Sequence, residues 1–355
     1  MAFLKPCGDF KRNYFEDEAV FQTKFIKLSV GLLLLLLVLM PFVMNEYVLY
    51  LMNLVFITII GAHGINLLVG YTGQVSIGHG AFIGVGAYTV SILSGRYLQL
   101  PIWVALPCAG FVTAGIGGIY GVPSLRLKGF YLAMSTLAGQ FVLEYLFQNL
   151  EGLTGGYEGC FIESPSLFGV SFDNSTKFYY LTLFITILAT ICITNIMRTR
   201  VGRAFIAIKD HDNASKMIGI NINKYKIMSF IISSFYAGIT GGLIAYYFKF
   251  VHPGMFTIHL SIEYLAMIIV GGLGSILGSI YGAIFIVVFP EVLAHMFSLV
   301  GKYLPRLAEY PSLFPASRMI IFGLAIVIFM TREDMGIAKI WKNIKTYWKL
   351  WPFSY

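Results

Sequence analysis

Residues 47–95 read YVLYLMNLVFITIIGAHGINLLVGYTGQVSIGHGAFIGVGAYTVSILSG, and no Asp, Glu, Lys or Arg occurs between Glu46 and Arg96. A helix needs about 20 apolar residues to cross roughly 30 Å of hydrocarbon. The block is therefore long enough for two passes. The rest of the chain agrees: of 355 residues, 57% are hydrophobic and only 12% charged, with a mean hydropathy of +0.77. Soluble domains carry about 25% charged residues, so too little polar surface exists here to cover a water-soluble globule. The expectation is an all-α, polytopic transmembrane helical bundle of about 8–10 spans with broken or re-entrant segments.

Working outward, apolar runs place spans near 28–45, 47–70, 72–94, 101–123, 128–150, 178–197 and 227–248. A longer apolar region covers 261–298, and a last span lies near 317–331. Residues 1–27 form a mixed-charge tail, 28–331 one membrane domain containing the loop 198–226, and 332–355 a basic, aromatic tail. The first apolar run, Leu28 to Met44, follows a charged lead and lacks a small-x-small cleavage site, so it reads as a retained span.

In a chain this apolar, the net charge of +8 does not by itself point to nucleic acid. Basic loops on one side of a membrane explain it. Cys7, Cys108, Cys160 and Cys192 are scattered, with no metal spacing. Asn174-Ser175-Thr176 matches a glycosylation sequon, a short motif that also arises by chance.

Charge orients the bundle. The loop 198–226 carries Arg198, Arg200, Arg203, Lys209, Lys216, Lys224 and Lys226 against Asp210 and Asp212, so the positive-inside bias places it in the cytoplasm. Glu151, Glu158, Glu163 and Asp173 against Lys177 suit an outer loop at 151–177. Arg126 and Lys128 mark another inner turn, as do Lys339, Lys342, Lys345 and Lys349 in the tail. Counting spans from these anchors puts both termini inside. It also requires 261–298 to cross twice or to dip in and return, with Gly271-Gly272-Leu273-Gly274-Ser275 at the break. That break reads either as part of a pathway, where a cavity satisfies irregular backbone, or as a tight turn at the surface.

Within the charge-free block, Gly70-Tyr71-Thr72-Gly73-Gln74-Val75-Ser76-Ile77-Gly78-His79-Gly80 is too rich in glycine for an unsupported helix. Gly70 and Gly73 allow a break, whose free N–H groups and positive dipole end receive polar substrate groups in some transporters. Gly80, Gly84 and Ala87 fall at helical spacing and suit close helix contact. Tyr71, Thr72, Gln74, Ser76, Gly78 and His79 read as the lining of a translocation path or as interhelical hydrogen-bonding groups. His79 reads also as a proton relay, and His63 as a packing histidine. Glu144, an intramembrane acid, is a functional candidate by default; it also reads as paired, or as lying near the outer interface.

The inner loop contains Gly202-Arg203-Ala204 and then Asn213-Ala214-Ser215-Lys216-Met217-Ile218-Gly219. Small and apolar residues ending in glycine suit a short helix that docks in a partner's groove or lies on the membrane surface.

At these two stretches the chain resembles the permease subunits of branched-chain amino-acid ABC importers, the type with G-Y-x-G-Q-x-S-x-G-H-x-A-F. Matching runs follow in order: Leu125-Arg126-Leu127-Lys128-Gly129-Phe130-Tyr131, Leu153-Thr154-Gly155-Gly156, Val201-Gly202-Arg203-Ala204, Ser261-Ile262-Glu263-Tyr264-Leu265, Gly271-Gly272-Leu273-Gly274-Ser275 and Pro290-Glu291. The resemblance spans about 47–332. It implies a two-permease core of similar or identical chains, two cytoplasmic ATP-binding subunits and an extracytoplasmic solute-binding protein, in a prokaryotic inner membrane. Residues 213–219 are similar to that family's E-A-A-x-x-x-G coupling segment, with Asn213 in place of the acid and Ser215 in place of the second alanine.

No G-x-x-x-x-G-K-[ST] phosphate loop occurs in the chain, so energy is expected from another chain or from an ion gradient; the resemblance implies ATP used by partner subunits, with no cofactor or metal bound here. The resemblance implies a transport subunit rather than an enzyme, carrying branched-chain or other hydrophobic amino acids. A permease for urea, another amide or another small solute fits the same residues. So does a stand-alone ion-coupled transporter using Glu144 and His79. An intramembrane enzyme is disfavoured, since no Ser/His, paired Asp or HExxH arrangement lies at membrane depth.

Overall fold

A computed structural model describes residues 24–96, 99–163, 165–167, 170–172, 174–303, 320–321, 323–324, 326–328, 331 and 336–350. Most of the expected N-terminal tail and much of the expected span at 317–331 fall outside the described residues. The first 49 residues and the remainder are two compact units. In the first, α1 (Lys24–Leu39) gives way to a 3-10 turn, Met40–Phe42. Pro41 lies in that turn, where its missing N–H leaves no gap in a regular ladder.

Seven helices among the described residues are long and apolar enough to cross a membrane. The first is α2 (Glu46–Ile65), extended by a π-helical turn over Asn66–Tyr71. Next come α3 (His79–Val90), α4 (Ile102–Gly121), α5 (Phe130–Asn149) and the single turn α6 (Glu151–Thr154). Then follow α7 (Ser175–Arg198), α8 (Arg200–Asp210), α9 (Asp212–Met217) and α10 (Ile222–Phe248). The last described are α11 (Ile258–Gly271), α12 (Ile276–Tyr303) and α13 (Gly336–Leu350). The expected span at 72–94 is corrected. Residues 72–78 are not helical, and α3 is a 12-residue helix that begins at His79 and ends in a π turn over Ser91–Arg96.

Composition explains the layering. The most apolar stretches of α2 with its π turn and of α10 are 67% and 61% buried, against 28% for α7 and 33% for α12. The buried pair lies at the centre; the others present apolar side chains outward, as lipid-facing helices do. Phe111, Ile119, Phe130 and Phe184 are among these exposed groups. The central contact uses small residues. A Cβ on Gly238 would sit 2.6 Å from the Ala109 carbonyl, and one on Gly86 would strike the Gly238 backbone. Without a hydrophobic force between helices in lipid, such close backbone approach supplies the association. The Gly80 and Gly84 contacts expected from helical spacing also form, against Ser261 and Phe256.

Strand pairing fixes which connections share an end. Antiparallel β1 (Cys160–Phe161) and β2 (Phe250–Val251) pair Cys160 with Val251, joining the segments after α5 and after α10. At the opposite end, Asp212 reaches both Lys128 before α5 and Lys226 at the start of α10. The region 261–298 forms parts of two crossing helices, α11 and α12, meeting at the turn 272–275. The 14-residue α11, the glycine turn and the longer α12 follow one another as the short segment, break and second helix expected, with the turn at the same end as α8 and α9.

Candidate functional site

The break after α2 is built from local hydrogen bonds. Thr72 donates its hydroxyl back to the Leu68 carbonyl. Gly73 then takes φ +69°, a conformation costly for any residue with a Cβ. Gln74 Nε2 donates to Thr72 Oγ1 at 3.1 Å and to Ser229 Oγ on α10 at 2.6 Å. Ile77 N–H donates to Thr136 Oγ1 on α5 at 3.0 Å, and Gly78 N–H to Ser76 Oγ at 3.4 Å. Thr72, Gln74, Ser76, Gly78 and His79 are buried, Tyr71 is half-buried and Gly73 is exposed.

The start of α3 departs from the expectation of free donors. Gly80 N–H donates to Ser261 Oγ on α11 at 2.7 Å, and Ala81 N–H to Gln140 Oε1 on α5 at 2.8 Å. Gln140 Nε2 in turn donates to the Phe256 carbonyl at 2.7 Å. Two of the donors that a helix start leaves unpaired are thus capped by side chains from other helices. His79 Nε2 lies 3.1 Å from the Gly61 carbonyl. A carbonyl only accepts, so this nitrogen carries the proton. Its ring packs against Tyr264, centroid to centroid at 5.4 Å.

The second glycine stretch meets the first. Asn66, in the π turn, donates to the Ser275 carbonyl at 2.8 Å and to Ser279 Oγ at 2.7 Å. Its Oδ1 accepts from Gly274 N–H at 2.9 Å. Tyr71 adds a hydrogen bond to the Ile276 backbone. Gly70 has no room for a Cβ, because Asn66 Oδ1 and Gly274 N already occupy the space. Gly271 and Gly272 are buried, while Gly274 and Ser275 are half-buried.

The basic loop folds against this junction. Thr199 caps α8 by accepting from Val201 N–H at 3.2 Å. Gly202 and Ala204 are buried, Gly202 against the Met197 backbone, while Arg203 is exposed. At the end of α8, Lys209 Nζ donates to the Gly70 carbonyl at 2.7 Å. In α9, Asn213 and Ala214 are exposed and Ser215 is buried. Gly219, at φ +86°, closes the turn, with Ile220 N–H on the Ser215 carbonyl at 3.0 Å. Met217 and Ile218 stand 89% and 74% exposed, far more than an apolar pair covered by its own chain.

Asp212 holds the loop electrostatically. Its Oδ2 lies 2.6 Å from Lys128 Nζ and 3.1 Å from Lys226 Nζ, and Lys226 is buried. Partial burial works against ionisation of Asp212, but bonds and charge from Lys128 and Lys226 prevail and hold its carboxyl below the usual range.

Glu144 stays outside this junction. It lies near the C-terminal end of α5, opposite the Lys128 end, with Oε2 buried and no hydrogen-bond partner among the described residues. His63 Nε2 lies 3.1 Å from Thr190 Oγ1 on α7, joining two helices. Asn66 and Gln140 were not singled out from sequence. Each is an amide inside an apolar run, which is the signal that would have marked it.

The branched-chain amino acid transport system / permease component family model matches residues 47–330. The high-affinity branched-chain amino acid transport system permease protein LivM of Salmonella typhimurium is 33% identical over 336 residues, covering 88% of this chain and 74% of LivM. LivM of Escherichia coli matches with the same identity and coverage. Escherichia coli LivH, named as a permease protein of the same system, is 25% identical over 233 residues, 61% of this chain and 74% of LivH. No solved structure matches. With helices, broken segment and basic loop arranged as above, and the match running from 47 to 330, the chain belongs to the family of branched-chain amino acid transport permease components.

Proposed function

We propose that branched-chain or other hydrophobic amino acids cross the membrane through this chain and a second, similar permease chain, driven by two separate cytoplasmic ATP-binding subunits. An extracytoplasmic solute-binding protein delivers the cargo. As a permease component the chain is not itself an enzyme; ATP is used by the partners, and this chain carries no cofactor. The names of the LivM and LivH relatives support the solute class, and the likeness to both supports pairing with a related chain. The setting is a prokaryotic inner membrane, with the α8–α9 end and both termini in the cytoplasm, in keeping with the positive-inside bias.

The observation that carries this reading is the Lys209–Gly70 hydrogen bond, which ties the basic loop directly to the broken segment. In the proposed cycle, the partner ATPase receives Gly202, Arg203, Ala204, Asn213, Ala214, Ser215 and Gly219 with the exposed Met217 and Ile218. Its motion passes through Lys209 to Gly70, and through Asp212 and Lys226 to α10. Tyr71, Thr72, Gly73, Gln74, Ser76, Gly78 and His79, with Gly271, Gly272, Gly274 and Ser275, line the path that opens. Hydroxyls, amides and backbone groups there meet a zwitterion without a fixed charge of their own.

Reconstitution of the chain with its partner subunits tests this. ATP-dependent leucine uptake that stops when the ATP-binding subunits are omitted is the expected result. Uptake by the chain alone, or uptake of amides but not of amino acids, overturns it.

A further inference from the structure

The C-terminal helix α13 reads GIAKIWKNIKTYWKL, residues 336–350, and lies beyond the segment that the family model matches. It contains Lys339, Lys342, Lys345 and Lys349 and no acidic residue. At 100° per residue, Ile340, Trp341, Ile344 and Tyr347 fall within one arc, and Lys342 and Lys345 lie beyond it. Trp341, Ile344 and Tyr347 are 51%, 46% and 62% exposed, so much of the apolar arc is left uncovered by the described residues. Lys342 and Lys345 are exposed as well.

The position of α13 narrows what covers that arc. Gly336 stands at φ +60°, where a Cβ would meet the Val270 carbonyl and lie 2.8 Å from Gly272 N. Trp341 touches Tyr281 on α12, ring centroids 6.4 Å apart. The helix therefore starts where the crossing helices α11 and α12 turn, which is where a membrane surface meets the protein. Interfacial helices combine an apolar face, aromatic residues at the headgroup level and a lysine-rich polar face. Trp and Tyr favour that zone because one end of each ring is apolar and the other polar.

We infer that α13 is an interfacial anchor that lies on the membrane beside α11 and α12 and binds anionic phospholipid headgroups through its lysines. Trp341, Ile344 and Tyr347 enter the acyl boundary, and the cationic side neutralises the lipid charge. A strongly basic face is matched to an anionic leaflet rather than to a neutral one. Because Gly336 is packed against the 270–272 segment, the anchor also fixes the turn that Asn66 holds.

The test uses the full chain with Trp103→Phe and Trp351→Phe, so that emission reports Trp341 and Trp348. It is reconstituted in vesicles of brominated phosphatidylcholine, alone or mixed with brominated phosphatidylglycerol. Stronger quenching with phosphatidylglycerol, reversed by high salt, is the expected result. Each lysine near an anionic surface contributes about fivefold in partitioning. Replacing Lys342 and Lys345 by Gln should thus weaken the phosphatidylglycerol-dependent component about 25-fold. The substitutions are confined to the helix's polar side, and Trp341→Phe serves as the control that assigns the signal. Equal quenching in both vesicles overturns the inference. Protection that develops only when the ATP-binding subunits are added also overturns it, and assigns the face to a protein partner.

Discussion

The Nζ of Lys209 and the carbonyl of Gly70 lie 2.7 Å apart, although 139 residues separate them in the chain. The first belongs to the exposed basic loop and the second to the point where α2 breaks. A cation at the carbonyl end of a helix is favoured by the local dipole. Here it also makes a connection between the surface a partner can push and the irregular segment inside the bundle. The same lysine passes beside Gly73 and Gly274, so both glycine stretches flank it.

Lys209→Met should separate ATP hydrolysis from uptake. The lost bond is partly solvated, so the stability cost is about 1 kcal/mol. Leucine uptake per ATP hydrolysed, measured in proteoliposomes with the partner subunits, should fall severalfold, and Lys209→Arg should restore part of it. An unchanged ratio would remove Lys209 from the coupling route.

Asn66→Ala removes bonds to Gly274, Ser275 and Ser279 together. Interhelical hydrogen bonds in membranes average about 0.6 kcal/mol and reach about 1.7, so a loss of about 2–3 kcal/mol is expected. Thermal unfolding in detergent measures it. A shift no larger than that of an exposed-site control would show that the turn is held by other groups.

Gly86→Ala pushes a methyl into the Gly238 backbone, which cannot rotate away. Overpacking of this kind costs about 1–3 kcal/mol. Gly115→Ala, on the exposed side of α4 with nothing within 4 Å of the added Cβ, should be neutral or slightly stabilising. Comparing the two by thermal unfolding separates close packing from helix propensity.

Asp212→Asn should destabilise the chain at neutral pH, because it leaves the buried Lys226 without its counter-charge. The sign of the pH effect follows from the depressed carboxyl. Its contribution is present above the unfolded-state pKa of about 3.9 and is lost as pH falls through the lower folded value. The stability gap between the native chain and Asp212→Asn should therefore close in acid. Combining Asp212→Asn with Lys226→Met should recover part of the loss, as a double-mutant cycle would record.

Gly219→Pro should abolish the turn after α9. Proline holds φ near −65°, whereas this position needs +86°, and the bond from Gly219 N–H to the Lys216 carbonyl would be lost. Uptake driven by ATP should fall while the helical content by circular dichroism stays within error of the native chain. Full ATP-driven uptake would exclude α9 from coupling.

Amino-acid order alone determined the membrane class, most of the crossing segments and the two glycine interruptions. Those signals are local. A charge-free run such as 47–95 must leave water wherever it folds, and a glycine needing positive φ, as at 73 and 219, breaks a helix from its own position. The π turn at 66–71 and the late start of α3 at His79 were not legible. Both depend on Asn66, Gln140 and Ser261 finding partners on other helices. Only tertiary packing decided that the two interruptions meet, that the donors of α3 are capped rather than open, and that Lys209 reaches Gly70. Asn66 and Gly274 lie 208 residues apart, and nothing in the spacing along a chain encodes which distant carbonyl will stand within 3 Å. It depends on three-dimensional packing, such as the close approach of α3 and α4 to α10 at Gly86 and Gly238.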